Sequence, residues 1–248
     1  MSILSVQSQV AHGHVGNSAA VFALQRLGYE VWPVPTVVFS NHPGYGRHEG
    51  AVQPPAQVRA LLAGLEARGL FPGCRAVLSG YLGAVETGDA LLDAVKAVKA
   101  ANPEALYLCD PVLGDRDSGL YVAPDLPEFF RERALPAADI LAPNLFELER
   151  LAGISVARLD EALSAARALI ARGPRLVLVT SLRVAETPAD SIDLLLVGAE
   201  TAWRLRTPWL ALHPQPNGAG DLLSALFLAR YLESGAAPAA LEAAAASL

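Results

Sequence analysis

The segment Asn217-Gly218-Ala219-Gly220-Asp221 opens a strongly apolar run, DLLSALFLARYLESG, with the character of a helix. Glycines let a backbone approach a ligand closely. The first N–H groups of a helix have no internal partner and carry the positive end of its dipole. Together these features form an anion site. Asp221 lies just inside that nest and can take a proton from an alcohol held beside the anion. Phosphoryl transfer to a hydroxyl needs this pairing of charge stabilisation and a positioned base. The same pentapeptide also reads as a plain helix start, with Asp221 as a dipole-matched acid.

A second segment, Cys109-Asp110-Pro111-Val112-Leu113-Gly114-Asp115, places two carboxylates five residues apart around a proline and a glycine. Asp110 and Asp115 suit a Mg²⁺ ion held partly through water, or an ordinary turn after a strand. In Pro143-Asn144-Leu145-Phe146-Glu147, Asn144 reads as a helix cap and Glu147 as its capping-box partner. The segment from Ser8 to Asn17 reads as a polar glycine loop between a strand and a helix. Its His12 and His14 lack accompanying ligands at metal-site spacing. Cys74 and Cys109 have no neighbouring histidine and read as core or strand residues. Trp32, Trp203 and Trp209 read as packing residues.

Other chemistries are excluded by what is missing. The only lysines are Lys96 and Lys99, and neither follows a glycine-rich loop. A P-loop needs its lysine there to reach the terminal phosphates. Neither G-x-G-x-x-G nor G-x-S-x-G occurs, which removes the usual dinucleotide and α/β-hydrolase signals. The net charge of −6, without a basic run, argues against a nucleic-acid partner. No apolar stretch reaches the roughly 18 residues of a membrane span. The start, Met1-Ser2-Ile3-Leu4, has no basic region of an export signal. Two cysteines in 248 residues fit reduced thiols in the cytoplasm.

The elements that must position these residues alternate. Strands are expected at 3–8, 30–39 (broken by Pro33 and Pro35), 75–82, 105–111, 139–143 and 175–181, with an antiparallel pair over 193–207. Helices are expected after an Asn17 cap, over 55–68, from 86, over 125–133, after Asn144, over 159–172, after Asn217 and over 238–248. The segment 41–50, with three glycines and a proline, reads as a flap. The chain is 52% hydrophobic and 18% charged, enough for a sizeable core. Repeated β-α-β alternation predicts one α/β domain, with helices on both faces of a mostly parallel sheet. Ligands of such folds bind beyond the C-terminal strand ends, where Ser8, Tyr81, Asp110, Asn144 and Thr180 fall.

With these residues in place, the chain resembles the pyridoxal kinases of the ribokinase-like superfamily, from about residue 2 to its end. The resemblance rests on VQSQVAHGHVGNSAA (6–20), VVFSNHPGYGRHEG (37–50), LSGYLG (78–83), CDPVLGD (109–115), APNLFELERLAG (142–153), VTS (179–181) and NGAGD (217–221). It implies phosphorylation of the 5′-hydroxymethyl group of pyridoxal or a related B6 vitamer by ATP, with Mg²⁺ and room for a monovalent cation. Asp221 would be the base, and Gly218, Ala219 and Gly220 the anion hole. Ser8 and Tyr81 would hold the ring under a flap that includes Pro43 and Gly44. Asp110, Tyr121, Ala142, Asn144, Glu147, Thr180 and Ser181, with Thr207, Pro208, Trp209 and Leu210, would lie near ATP. Asp110, Asp115 and Glu147 would serve the metal. The resemblance also implies a cytoplasmic homodimer. A kinase of the thiamine-precursor hydroxymethylpyrimidine and a catalytically weak vitamer-binding homologue are the alternatives. An interaction module without a pocket fits poorly with so many polar and glycine residues at strand ends. Family members often carry Thr where this chain has Pro43, which offers neither a hydroxyl nor an N–H. They also continue past the point matching Leu248, so part of the C-terminal helical cover is expected to be missing.

Overall fold

The computed structural model describes residues 1–212 and 216–248. The first half runs β1 (Ser2–His12), α1 (Asn17–Arg26), β2 (Glu30–Asn41), a 3₁₀ turn (Pro43–Tyr45), β3 (Gly50–Val52), α2 (Pro55–Ala67), β4 (Cys74–Ser79), α3 (Val85–Ala101) and β5 (Leu106–Cys109). A small hairpin of β6 (Gly114–Asp115) and β7 (Gly119–Leu120) follows. Then come α4 (Leu126–Phe129), a π turn (Phe130–Ala134), α5 (Leu135–Ala137), β8 (Ile140–Leu141), α6 (Leu145–Ala152) and α7 (Leu159–Ile170). The last part holds β9 (Leu176–Leu182), β10 (Ser191–Val197), β11 (Ala202–Pro208), α8 (Ala219–Ser234) and α9 (Ala237–Ala245).

Nine strands form one sheet in the order β11-β10-β9-β8-β5-β4-β1-β2-β3. The pairs from β2 through β9 are parallel. The edge strand β3 and the last two strands at the other end, β10 and β11, pair antiparallel with their neighbours. Side chains of β1 alternate between the two faces. Leu4 and Val6 pack with residues of α2, α3, α6 and α7. Ile3 packs with residues of α1, α8 and α9. Both faces are thus covered, as the strand–helix alternation predicts. The chain leaves β1 toward β2 on one side and returns to β4 on the other, so the crevice beyond β1 is a topological switch point. Among the described residues no helix is long and apolar enough to cross a membrane.

Several elements differ from the sequence expectation. β1 continues through the expected loop to His12, with its pairing to β2 slipping between Gln7 and Gln9. That bulge lets a strand carry the polar Ser8 and still reach the site. Pro33 and Pro35 do not break β2. They pair with β1 on one side, while β3 joins the other side only at Val37–Phe39. Their missing N–H groups therefore cost no ladder bonds there. Asn17 does not cap α1. Gly16 is the cap residue, and the Asn17 side chain turns back toward β1. β4 ends at Ser79 rather than near residue 82, and the carbonyl of Tyr81 accepts a bond from Thr36 Oγ1. The helical segment near 125–133 extends to Ala137 through the π turn.

Candidate active site

Strand ends and one helix start bring the sequence candidates together. β5 ends at Cys109, so Asp110 emerges at the C-terminal edge of the sheet. α8 begins beneath the same crevice, and one turn along it Ser224 donates to Asp110 Oδ2 at 2.9 Å. The carboxylate is nearly fully buried. Its pKa is pushed well above the carboxylate range, first by lost solvation, then by the negative charges of Glu147 and Asp221.

Glu147 is also buried. Its Oε1 accepts the Leu113 N–H at 2.9 Å and its Oε2 the Asn144 N–H at 2.8 Å. Asn144 Oδ1 takes the Glu147 N–H in return, which completes the expected capping box of α6. Asn144 Nδ2 also donates to the Gly114 carbonyl. The capping box and the acidic site are therefore one structure. Burial raises the Glu147 pKa despite these N–H groups, and the Asp221 charge adds to it.

Asp221 sits in the first turn of α8 and is partly exposed. Desolvation raises its pKa to about 6, opposed by the nearby Gly16 N–H, which favours the charged form. This makes Gly16 a site residue that the sequence reading missed. The only signal was its place in a glycine-rich segment, and nothing local says that residue 16 meets residue 221. Gly218 has φ +89°, and a Cβ there would fall on the His14 carbonyl. Only glycine allows this seat. A Cβ on Gly220 would meet nothing within 4 Å, so the space beside it is open. The first-turn N–H groups of this sixteen-residue helix have no intrahelical acceptor. The result is a helix start with free N–H groups and a carboxylate at its side.

Around this centre, Ser8 lies against Gly16, where a Cβ would come within 2.3 Å of Ser8 Oγ. A Cβ on Gly80, one residue before Tyr81, would lie 3.6 Å from Asp221 Oδ1. Burial raises the Tyr81 pKa. The flap closes from above. Pro43 starts its 3₁₀ turn, and His42 Nδ1 accepts the Gly44 N–H at 3.1 Å. Burial and the nearby His48 lower the His42 pKa. A Cβ on Gly44 would be 3.7 Å from Asn217 Nδ2, so the flap tip meets the loop that starts α8.

Tyr121 lies near the acidic group. Burial raises its pKa, and the charges of Glu147, Asp115, Asp110 and Asp221 add to this. Asp115 is partly committed to its own turn, since Oδ1 accepts the N–H groups of Asp117 and Ser118. Ala142 donates its N–H to the Cys109 carbonyl. Thr180 bridges to Asn144 and donates its N–H to the Pro143 carbonyl. Ser181 is the one non-glycine residue with positive φ, +53°, among the described residues. Such a conformation is uncommon outside functional or turn positions. Thr207, Pro208, Trp209 and Leu210 are not drawn into the acidic cluster. β11 lies four strand spacings from β5, about 19 Å. There Trp209 donates its N–H to the Asp190 carbonyl, and Arg183 stacks 4.9 Å above its ring. Cys74 and Cys109 are buried thiols, and burial pushes them up to about 11 and about 12.

Comparison with known proteins gives this geometry a family. The phosphomethylpyrimidine kinase family model matches residues 61–248. The pyridoxal kinase PdxY of Granulibacter bethesdensis is 54% identical, over all of this chain and 87% of that relative. The pyridoxal kinase PdxY of Deinococcus radiodurans is 53% identical, over 97% of this chain and 82% of that relative. Among solved structures, Leishmania donovani pyridoxal kinase in complex with ADP and pyridoxamine superposes with a TM-score of 0.90 at 30% identity. It covers 98% of this chain and 86% of its own. Pyridoxal kinase of Entamoeba histolytica gives a TM-score of 0.91 at 26% identity, covering 99% and 86%. With this sequence similarity along its whole length and this fold, the chain belongs to the pyridoxal kinase family.

Proposed function

We infer that this chain transfers the γ-phosphoryl group of ATP to the 5′-hydroxymethyl group of pyridoxal. The observation that carries the reading is Asp221 in the first turn of α8, beside the open space at Gly220. There a hydroxyl between the carboxylate and the helix start loses its proton to Asp221 as it attacks phosphorus. The N–H groups of the Gly218–Gly220 turn hold the transferred phosphoryl group and its developing charge. No lysine is needed for this, in keeping with the lack of a P-loop. Ser8 and Tyr81 orient the pyridine ring, with Pro43 and Gly44 closing over it. Thr180, Ser181, Asn144, Ala142 and Tyr121 line the nucleotide side, with Thr207–Leu210 at its outer end.

A divalent cation fits the residues present. The charges that act on Asp110 are those of Glu147 and Asp221, both negative, so the crevice is short of positive charge. No three metal-binding side chains converge on one point among the described residues. A Mg²⁺ ion would therefore be held by Asp110, Glu147 and Asp115 largely through water. When bound it would neutralise charge on the phosphate oxygens. The reading also takes the protein as a cytoplasmic homodimer, as the family resemblance implies. The free buried thiols are in keeping with a reducing compartment.

Two tests follow from these roles. The base must be ionised to act, and the Asp221 pKa is raised to about 6. kcat/KM for pyridoxal should therefore be flat above pH 7 and fall tenfold per unit well below 6. A rate independent of pH from 5 to 8 would rule out Asp221 as the base. The substrate is tested with pyridoxal, pyridoxine, pyridoxamine and hydroxymethylpyrimidine, each with ATP and with and without Mg²⁺. Pyridoxal should give the highest kcat/KM. Preferential use of the pyrimidine would move the reading to a hydroxymethylpyrimidine kinase. Tight pyridoxal binding without ADP release would make the chain a binding protein.

A further inference from the structure

We propose that Asn17 is a positioning residue for phosphoryl transfer, acting through Gly16 on the base and on the ring-binding serine together. The inference rests on the reading of Asp221 as base and Ser8 as ring contact.

Alternation along β1 puts Ser5 and Gln7 on the same face as Ile3, the face covered by α1 and α8. Core positions there would normally be apolar. Instead Ser5 is 0% exposed, Gln7 1% and Asn17 2%. The three side chains satisfy one another. Ser5 Oγ donates to Asn17 Oδ1 at 2.7 Å, and Gln7 Nε2 donates to Ser5 Oγ at 2.8 Å. Asn17 Nδ2 closes the ring on the Gln7 carbonyl at 3.1 Å, where the β1–β2 pairing slips. Replacing such a group with apolar side chains is often neutral for stability. A buried polar ring of this kind is therefore best explained by what it holds in place.

What it holds is the Gly16–Asn17 peptide. Gly16 has φ +53° and is pressed against Ser8, where a Cβ would lie 2.3 Å from both Ser8 O and Oγ. On its other side the two residues before it, His14 and Val15, seat Gly218 at the start of α8, and its N–H faces the Asp221 carboxylate closely enough to favour the charged form. Asn17 is the next residue, anchored to β1 at two atoms. One side chain thus sets where Ser8 and Asp221 stand relative to each other, and so where the substrate hydroxyl meets the base. Asn17 touches neither substrate nor nucleotide in this account.

The test compares Asn17→Ala with Ser5→Ala and Ser18→Ala. Ser18 also ties α1 to β1, through Val10 and Gln9, but lies outside the ring. Rates are taken per pyridoxal-binding site, so loss of folded protein does not count. Asn17→Ala should lower kcat at least tenfold, raise KM for pyridoxal a few-fold, and leave KM for ATP within twofold. Ser5→Ala, which frees one of the two Asn17 anchors, should lower kcat about threefold and decides the matter if Asn17→Ala does not fold. Ser18→Ala should keep wild-type kcat. Wild-type kcat in the ring variants, or an equal loss in Ser18→Ala, would reduce Asn17 to a structural role. An inactive wild type would instead defeat the kinase reading itself.

Discussion

Replacing Asp221 by Asn is expected to lower kcat by about a thousandfold while making the ligand-free protein more stable. The kinetic part follows from its role, since a positioned general base contributes roughly 10²–10⁴ in rate. Asn keeps the shape but cannot take a proton. Pyridoxal and ATP should therefore bind with Kd values within a few-fold of wild type. The stability part follows from linkage. The Asp221 pKa is raised in the folded protein to about 6, against about 3.9 when unfolded. A raised pKa gives stability that is present below pH 4 and lost as the pH rises through 6. At pH 7 the ionised carboxylate, held where it loses solvation, opposes folding. Removing it should raise Tm by about 2–6 °C in a protein of this size. Calorimetry and steady-state kinetics on the same preparation check both parts. A variant that lost activity and also melted lower would point to a structural role for the carboxylate.

The two glycines of the anion turn should fail in different ways when changed to Ala. Gly218→Ala places a Cβ on the His14 carbonyl at a residue with φ +89°. Both the contact and the backbone conformation forbid it, so the turn must move and its N–H groups lose their aim. A fall in kcat/KM of about 10²–10³ is expected, the range for loss of an oxyanion-hole donor, together with a lower Tm. Gly220→Ala places its Cβ in open space, inside a helix where Ala is preferred by about 0.5–1 kcal/mol. Its Tm should hold or rise. Its activity should still fall, by tenfold or more, because the methyl group occupies the space left for the phosphoryl group. Full activity in Gly220→Ala would mean that the phosphate binds elsewhere.

The parts of the fold that depend on local pattern were legible in the sequence. The alternation of apolar strands and amphipathic helices gave the layered sheet, and the Asn144–Glu147 spacing gave a capping box that the structure contains. The glycine-Asp helix start was legible because its residue types have a direct physical meaning. What was hidden depends on contacts far apart in the chain. β1 reads as ending near Ser8 because its continuation is polar, yet Ser18 Oγ accepts from Gln9 Nε2 and bonds the backbone of Val10. Pro33 and Pro35 read as breakers because the sequence does not say that they lie on the open side of β2. Asn17 reads as a cap because Asn so often is one. The meeting of the His14–Gly16 segment with the start of α8 joins segments some two hundred residues apart, and no local propensity encodes it. A glycine at position 16, in a glycine-rich segment, was the only trace.

The central claim is phosphoryl transfer from ATP to the 5′-hydroxyl of pyridoxal with Asp221 as the base. The most direct measurement follows pyridoxal 5′-phosphate and ADP together, with wild-type chain and Asp221→Asn, at pH 7.5 with Mg²⁺. The account predicts one ADP per pyridoxal 5′-phosphate from the wild type, and a rate about a thousandfold lower from the variant that still binds pyridoxal. Equal rates from the two proteins, or ADP release without a phosphorylated vitamer, would contradict it.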